Sequence, residues 1–165
     1  MGKTTFSGPI RAGTVRDGLV TTKNIGTTIL AQTATVPFGS ITTSPSAVNL
    51  FTLPAGAKIT NFSFETVTAI TGGSVSAVAA VVGKSGTANA FVTSLAIPVT
   101  AIRQTQALVD AQFAAPACNN IGTTDVTITG TFTASTGNPT AGSVVVTVYY
   151  MQRAADGSYP GDSGT

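Results

Sequence analysis

Histidine and tryptophan are absent from this 165-residue sequence, and cysteine occurs once, as Cys118. Histidine is the commonest general base and metal ligand in proteins, so its absence argues against most hydrolytic and metal-dependent active sites. A zinc site needs several nitrogen or sulfur ligands, which a single cysteine cannot supply. One cysteine also excludes an intrachain disulfide, so nothing points to an oxidising compartment.

Charged residues are scarce as well, at 8% of the chain against about 25% in typical soluble domains. Thirty threonines and thirteen serines supply the polarity instead. Hydroxyl groups keep a sheet surface wettable and favour strands, but they repel neighbouring subunits only weakly. A surface this poor in charge suits a protein whose faces lie against other subunits. The net charge of +2 is too small to indicate direct binding to nucleic acid.

The acidic residues are few and dispersed. They occupy positions 17, 65, 110, 125, 156 and 162. The sequence therefore contains no closely spaced pair of carboxylates that would indicate the acid–base chemistry of a glycosidase. Glu65 lies out of phase with Phe62 and Phe64, so we predict that it lies on a solvated or interface-forming side of its strand. Cys118, within "APACNN", is predicted to be a small buried hydrophobic residue rather than a nucleophile. We predict a protein that is not an enzyme and holds no cofactor or metal.

Long apolar runs are also missing. No stretch approaches the roughly 20 apolar residues that a membrane-spanning helix needs, and no charged segment followed by an apolar one indicates a signal peptide. We therefore expect synthesis in a reducing cytoplasm and no association with a membrane.

A strict alternation marks the segment "DVTITGTFTA". Its apolar or small residues are Val126, Ile128, Gly130, Phe132 and Ala134, and the intervening threonines are Thr127, Thr129, Thr131 and Thr133. This period of two predicts a strand with one buried and one solvated face. Gly130 falls on the buried side, where glycine indicates a bulge or the close approach of another backbone.

The last strand-like segment, "SVVVTVYYMQ", is apolar on both faces, which is typical of a strand that is central in its sheet or covered by a neighbour. Earlier candidates are "IGTTILAQTATV", "AVNLFTL", "KITNFSFETVTAI", "SVSAVAAVV" and "AFVTSLAIPV". Turn chemistry separates them at Pro54-Ala55-Gly56, at Gly72-Gly73 and in a predicted loop from Gly83 to Asn89. Residues 102–113 are predicted to form either a short helix or a structured loop.

About eight short strands and at most one helix predict an all-β sandwich or barrel. Eight strands favour a jelly-roll-like antiparallel β-sandwich, in which two four-stranded sheets enclose one core with few free edges. An immunoglobulin-like sandwich is the alternative. We predict an extended N-terminal arm at residues 1–24, a β-sandwich body at 25–152 and a C-terminal tail at 153–165.

The predicted arm carries half of the chain's eight basic residues, namely Lys3, Arg11, Arg16 and Lys23. Two interpretations are open. The arm docks on an acidic partner surface, or it is a solvated, frayed terminus.

Three segments resemble a known group of proteins. They are the opening "TTFSGPIRAGT", the strand-turn-strand stretch "VNLFTLPAGAKITNFSFETVTAI" and the terminal "VVVTVYY". Together they are similar to the head decoration, or capsid cement, proteins of tailed bacteriophages, especially those with a jelly-roll body. The likeness covers most of the chain as a pattern.

This resemblance implies a homotrimer on the outer surface of a phage capsid, where it binds the major capsid protein and stabilises contacts between shell subunits. It implies docking through the arm, with Phe6, Pro9 and Ile10 as apolar anchors. The arm's basic residues, Lys3, Arg11, Arg16 and Lys23, would meet carboxylates of the shell. A phage tail or head-fibre component is one alternative, and a glycan-binding β-sandwich on the virion is another.

Overall fold

The computed structural model of the chain describes residues 29–101 and 116–152. Nearly all regular structure in these residues is strand. The strands are β1 (Ile29–Pro37), β2 (Ile41–Thr42), β3 (Val48–Leu53), β4 (Lys58–Thr71), β5 (Val78–Lys84), β6 (Thr87–Ile97), β7 (Val126–Ala134) and β8 (Ala141–Met151). A 3₁₀ turn, Phe38–Ser40, joins β1 to β2, and one short helix, α1 (Pro116–Asn119), precedes β7. The predictions for residues 1–24, 102–113 and 153–165 lie outside the described residues.

The strands form two sheets. One sheet has the order β1–β8–β4, and the other has the order β3–β7–β5–β6. The two residues of β2 pair in parallel with β7, beyond the end of β3 on the same edge. The strand "SVVVTVYYMQ" is β8 and lies between β1 and β4, which confirms that it is central.

The pairing is nested, as in one long hairpin that has been rolled up. β1 pairs with β8, β3 with β7 and β5 with β6, all antiparallel. The remaining pair of segments in this nested order is β4 and the chain just after β6. They are joined by the Ile70 amide, which donates to the Val99 carbonyl oxygen at 2.7 Å. This nesting is the arrangement of a jelly roll, and it confirms the predicted fold class. The immunoglobulin alternative, in which the first two strands are neighbours in one sheet, is wrong.

The core lies between the sheets and follows from alternation along each strand. Its largest fully buried side chains include Phe62, Phe64, Phe91, Phe132, Ile41, Leu53, Ile59 and Ile128. The Phe62 ring centroid lies 6.5 Å from that of Phe64 and 6.3 Å from that of Phe91. Phe62 belongs to β4 and Phe91 to β6, so this contact ties one sheet to the other. Burying one such side chain contributes about 1.5–3 kcal/mol to folding.

The predicted alternation of β7 is confirmed. Ile128, Phe132 and Ala134 are buried, and Val126 packs against the core while half-buried. The glycine on this buried side does make room, but for side chains rather than for a backbone. A β-carbon on Gly130 would lie 2.8 Å from both Leu50 Cδ1 and Phe132 Cε2. Leu50 is the extra residue of a register shift in β3, between Asn49 and Phe51.

The predicted loop from Gly83 to Asn89 is wrong. β5 continues to Lys84 and β6 begins at Thr87, so only Ser85 and Gly86 connect the two strands. Gly86 has a φ of 80°, as a tight turn requires. Gly83 is itself a residue of β5. A β-carbon at this position would collide with the backbone of Thr87 and Ala88, so glycine is needed here for the close approach of two strands. In the sequence, such a glycine cannot be distinguished from a loop glycine.

The Pro54-Ala55-Gly56 turn forms as predicted, with Gly56 at a φ of 74°. Its backbone is bonded to the segment before β7: Gly56 N donates to Gly122 O at 2.8 Å, and Ala55 N donates to Asp125 Oδ1 at 3.0 Å. Gln152 Nε2, just after β8, donates to Ala55 O at 3.1 Å. The turn therefore holds three parts of the chain together at one end of the sandwich.

The opposite end of the sandwich is closed by two turns in backbone contact. Gly72-Gly73 is a turn, as predicted, and both residues have positive φ values of 90° and 58°. A β-carbon on Gly73 would collide with the Asn138 carbonyl group, so the turn after β4 touches the turn after β7 directly. The Ser135 hydroxyl also accepts from Ala77 N at 2.9 Å. The chain is held in these contacts until Val78, which is why β5 begins four residues later than "SVSAVAAVV" predicts.

Candidate interaction surfaces

Charge is almost absent from the body. Within residues 29–101 and 116–152 the charged residues are Lys58, Glu65, Lys84 and Asp125. The other ten charged residues of the chain belong to residues 1–28, 102–115 and 153–165. Asp125 serves the Pro54-Ala55-Gly56 turn, and Lys84 is at the end of β5. The two broad sheet surfaces therefore keep only Lys58 and Glu65.

The outer surface of the β1–β8–β4 sheet is the first candidate, and we call it the three-strand face. On β8 it is formed by the residues that alternate with the buried Val144, Val146, Val148 and Tyr150. The register gives its rows: Ile29–Met151–Lys58, Ala31–Tyr149–Asn61, Thr33–Thr147–Ser63, Thr35–Val145–Glu65 and Pro37–Ser143–Thr68. Both charges of this face lie on β4, so its β1 and β8 rows are entirely neutral.

Apolar exposure is concentrated around this face. Among the described residues the exposed large hydrophobic side chains are Ile29, Leu30, Phe38 and Val67. Leu30 is the register partner of the buried Tyr150, so it lies on the core-facing side of β1. Ile29 lies on the three-strand face, and Phe38 and Val67 belong to the turn after β1 and to β4. Phe38 follows Pro37 and Val67 precedes Thr68, so both flank the last row of the three-strand face. Together with the half-buried Val145, Tyr149 and Met151, they make this side of the sandwich the more apolar one.

The outer surface of the other sheet, which we call the threonine face, has a different chemistry. Its centre is the row Thr127, Thr129, Thr131 and Thr133 on β7. The register places Asn49 and Thr52 of β3 on one side of that row, and Ala79 and Val81 of β5 on the other. No charged residue is among these positions. Hydroxyls in regular rows remain hydrated at little cost, so this face suits contact with water.

The segments before β1 and after β8 join the body at the same place. Ile29 is the register partner of Met151, so residues 1–28 enter, and residues 153–165 leave, on adjacent strands. This is the end that carries the Pro54-Ala55-Gly56 turn. The predicted arm is thus attached at an edge of the three-strand face.

The predicted docking residues lie outside the part of the chain that the structure describes. They are Lys3, Phe6, Pro9, Ile10, Arg11, Arg16 and Lys23. Their role stays a prediction. Sequence reasoning did not name Val145, Tyr149 and Met151 as surface residues of interest, although the two-sided apolar character of β8 was the signal for them.

Glu65 pairs with Val145 across β4 and β8, so it lies on the outer face, opposite in direction to Phe62 and Phe64. It is half-buried. Cys118 is buried, at 2% exposure, as predicted. Burial raises the pKa of the Cys118 thiol above its ordinary value, which disfavours the thiolate that a nucleophile needs.

The side chains that bind metals are scattered in the body. In the described ranges, no group of three or more histidine, cysteine, aspartate or glutamate residues could hold a metal ion. None of the helices in that part of the chain has the length and apolarity to span a bilayer.

No protein-family model matches the sequence, and no curated protein sequence matches it. Two solved structures contain chains of similar shape. One is the capsid asymmetric unit of cyanophage Pam1, with 20% identity, a TM-score of 0.46, and coverage of 88% of this chain and 100% of that one. The other is the acidic stable capsid of Helicobacter pylori bacteriophage KHP30, with 16% identity, a TM-score of 0.43, and coverage of 77% and 94%. A likeness at this level does not by itself assign a function.

Proposed function

We propose that this chain is a structural protein of a tailed-phage virion and not an enzyme. It decorates the outer surface of the capsid as a homotrimer and stabilises contacts between major capsid subunits. The observation that carries the proposal is the partly apolar three-strand face, whose β1 and β8 rows hold no charge, on a body that holds four charged residues in its described part. The proposal assigns the chain to the same kind of particle as the two solved capsids.

The β1 and β8 part of the three-strand face is favourable for packing against protein because it holds no charge that has to be desolvated. Burying an unpaired lysine or carboxylate costs several kcal/mol, whereas Val145, Tyr149 and Met151 gain free energy when they are covered. Thr33 and Thr147 already place their hydroxyl oxygens 3.4 Å apart across the strands. This pair therefore carries its own hydrogen bond into a contact.

The three-strand face is too small to hold a partner by itself. Strands are spaced by about 4.8 Å and rise about 3.3 Å per residue, so three strands of nine residues cover about 400 Å². A stable interface buries about 800 Å² on each partner. A second contact is needed, and we assign it to the arm, which precedes Ile29 in the chain.

The arm supplies what the body lacks. Its basic residues Lys3, Arg11, Arg16 and Lys23 can meet carboxylates of the shell, while Phe6, Pro9 and Ile10 anchor it in apolar contacts. An extended segment gains backbone hydrogen bonds when it adds to a sheet edge. Ordering it costs about 1–2 kcal/mol per residue, so the arm needs a large contact such as a repeating shell offers.

The test is removal of residues 1–24, which leaves every described strand intact. The purified full chain and the truncated chain are mixed with expanded capsids that lack the protein, and binding is measured by co-sedimentation and electron microscopy. We expect the full chain to form regular protrusions on the head. We expect the truncated chain to fold, with unchanged thermal unfolding, and to remain in the supernatant.

Undiminished binding of the truncated chain would contradict docking through the arm. Absence of binding by the full chain would contradict the decoration role itself. Co-purification with tails would favour a tail or fibre component, and binding on a glycan array without capsid binding would favour a glycan-binding protein.

A further inference from the structure

β1 is the most weakly anchored long strand of the sandwich. Of its nine residues only Val36 is buried, and Ile29 and Leu30 are 58% and 41% exposed. β4 pairs with the opposite edge of the same strand, β8, yet it buries Ile59, Phe62, Phe64 and Ile70. Removing β1 would expose far less apolar surface than removing β4.

Backbone pairing is therefore the main force that holds β1 in place. All nine residues are in register with β8, from Ile29 opposite Met151 to Pro37 opposite Ser143. Within the described residues no strand pairs with the other edge of β1. The Gln32 side-chain amide links β1 to β3 of the other sheet by donating to Thr52 O at 3.3 Å, and it also donates to Tyr150 Oη of β8 at 3.1 Å.

The turn that connects β1 to the rest of the body is loosely packed. The turn Phe38–Ser40 contains no buried residue. Phe38 is 42% exposed, and a β-carbon on Gly39 would meet no atom within 4 Å. The core begins again at Ile41, which is fully buried. The chain can thus open between Pro37 and Ile41 while only the buried Val36 and the half-buried Ala34 leave the core.

We propose that β1 is exchanged between copies of this chain: in the assembled oligomer, the β1 of one copy pairs with the β8 of a second copy. The second copy offers a groove identical to the one that β1 leaves, so β1 forms the same hydrogen bonds there and only the turn must reorganise. Exchange of an identical element is a low-cost route to an oligomer. Because residues 1–28 precede Ile29, each exchanged strand also brings its arm to the neighbouring copy.

Paired cysteines test the exchange directly in the purified full chain. The first variant is Thr33→Cys with Thr147→Cys, across β1 and β8, where the native hydroxyl oxygens lie 3.4 Å apart. The matched control is Ser63→Cys with Thr147→Cys, across β4 and β8, on the same row of the three-strand face. Both carry Cys118→Ala, so no other thiol is present. Each is assembled under reducing conditions, oxidised, and separated on a denaturing gel without reductant.

With exchange, the β1–β8 variant gives disulfide-linked oligomers as its main product, and the β4–β8 control gives monomers with an internal disulfide. An internal disulfide in both variants, at every protein concentration, would overturn the exchange. Oxidation before assembly provides a second readout: the internally linked β1–β8 monomer should fail to assemble until reductant is added. These results are independent of capsid binding, so the exchange and the decoration role can fail separately.

Discussion

The two outer surfaces of the sandwich differ more than their strand patterns suggest. Both alternate with the same core and both have few charges, but one is a row of threonines and the other has valine, tyrosine and methionine on its central strand. Of the four exposed large hydrophobic residues of the described chain, Ile29, Phe38 and Val67 lie on or beside the three-strand face. A threonine shares the branched shape of valine and differs by a hydroxyl, so the sandwich can tolerate either residue on either face. The proposed function therefore predicts that the difference between the faces matters for association rather than for folding.

The largest effect is expected from placing a charge at the centre of each face. Thr147→Lys on β8 and Thr131→Lys on β7 are a matched pair, because both native residues are half-buried threonines that are central in their sheets. Thr147 lies opposite Thr33 and Ser63, so no carboxylate faces the new charge directly. If the three-strand face is covered in the assembly, an ammonium there costs about 3 kcal/mol and weakens association about 100-fold. Thr131→Lys should leave association within about twofold, since it points to water.

Sedimentation equilibrium and capsid binding measure both effects, with thermal unfolding as the check on folding. Equal losses in the two variants would show that the faces do not differ in role. A larger loss for Thr131→Lys would reverse the assignment of the faces.

The second effect concerns stability and the glycine on the buried side of β7. In Gly130→Ala the new β-carbon meets Leu50 Cδ1 and Phe132 Cε2 at 2.8 Å, and the buried Phe132 ring cannot move away freely. We expect the free energy of unfolding to fall by about 1–3 kcal/mol. Gly39→Ala, where nothing lies within 4 Å, is the matched control and should change it little. Chemical denaturation measures both.

Leu50→Ala in the Gly130→Ala background removes one of the two clashes. The double variant should be more stable than the sum of the single changes predicts. Strict additivity would mean that Leu50 is not what Gly130 accommodates.

A smaller effect on stability, with a visible effect on solubility, is expected when the threonine face is made apolar. Replacing Thr127, Thr129, Thr131 and Thr133 by valine keeps the branched shape and strand preference. Each change should alter the free energy of unfolding by about 0.5 kcal/mol or less. The variant should nevertheless associate beyond the native oligomer, because both faces then favour burial. Light scattering at increasing concentration detects this, and unchanged scattering would mean that the hydroxyl row does not keep this face in water.

The last effect is confined to alkaline pH and concerns Cys118. Its pKa is raised by burial, so the folded protein keeps the thiol proton to a higher pH than the unfolded chain does. Stability is therefore fully present below the ordinary thiol pKa of 9.0 and is lost as pH rises above it. The loss is at most about 1.4 kcal/mol per pH unit. Denaturation between about pH 8 and 10.5, compared with Cys118→Ala, should show the steeper decline in the native protein; parallel curves would contradict it.

Local pattern was enough to predict most strands. The alternation of β7, the two-sided β8 and the turns at Pro54-Ala55-Gly56 and Gly72-Gly73 each depend on a few neighbouring residues, and all are confirmed. The loop predicted at Gly83–Asn89 failed for a reason that lies elsewhere in the chain. Glycine permits both a flexible loop and a close crossing, and only the position of Thr87 and Ala88 distinguishes them.

The candidate site was less predictable than the fold. The docking residues named from sequence are all in the arm, because charge is visible in a sequence without knowledge of the fold. The three-strand face joins β1, β4 and β8, which are distant in the chain, and their rows exist only once the register is known. The weak anchoring of β1 was hidden for the same reason, since "IGTTILAQTATV" is as strand-like as any other segment.

What the sequence determined by itself is a β-sandwich with a strongly alternating core and very little charge, because period, turn chemistry and composition are local properties that each segment carries alone. The tertiary structure decided which strands became neighbours, which face received the exposed apolar residues and which strand was left at an edge with one buried side chain. These depend on pairings between residues that are distant in the chain, such as Ile29 with Met151. No local pattern specifies such a pairing, because many strands of similar composition could have offered the same hydrogen bonds.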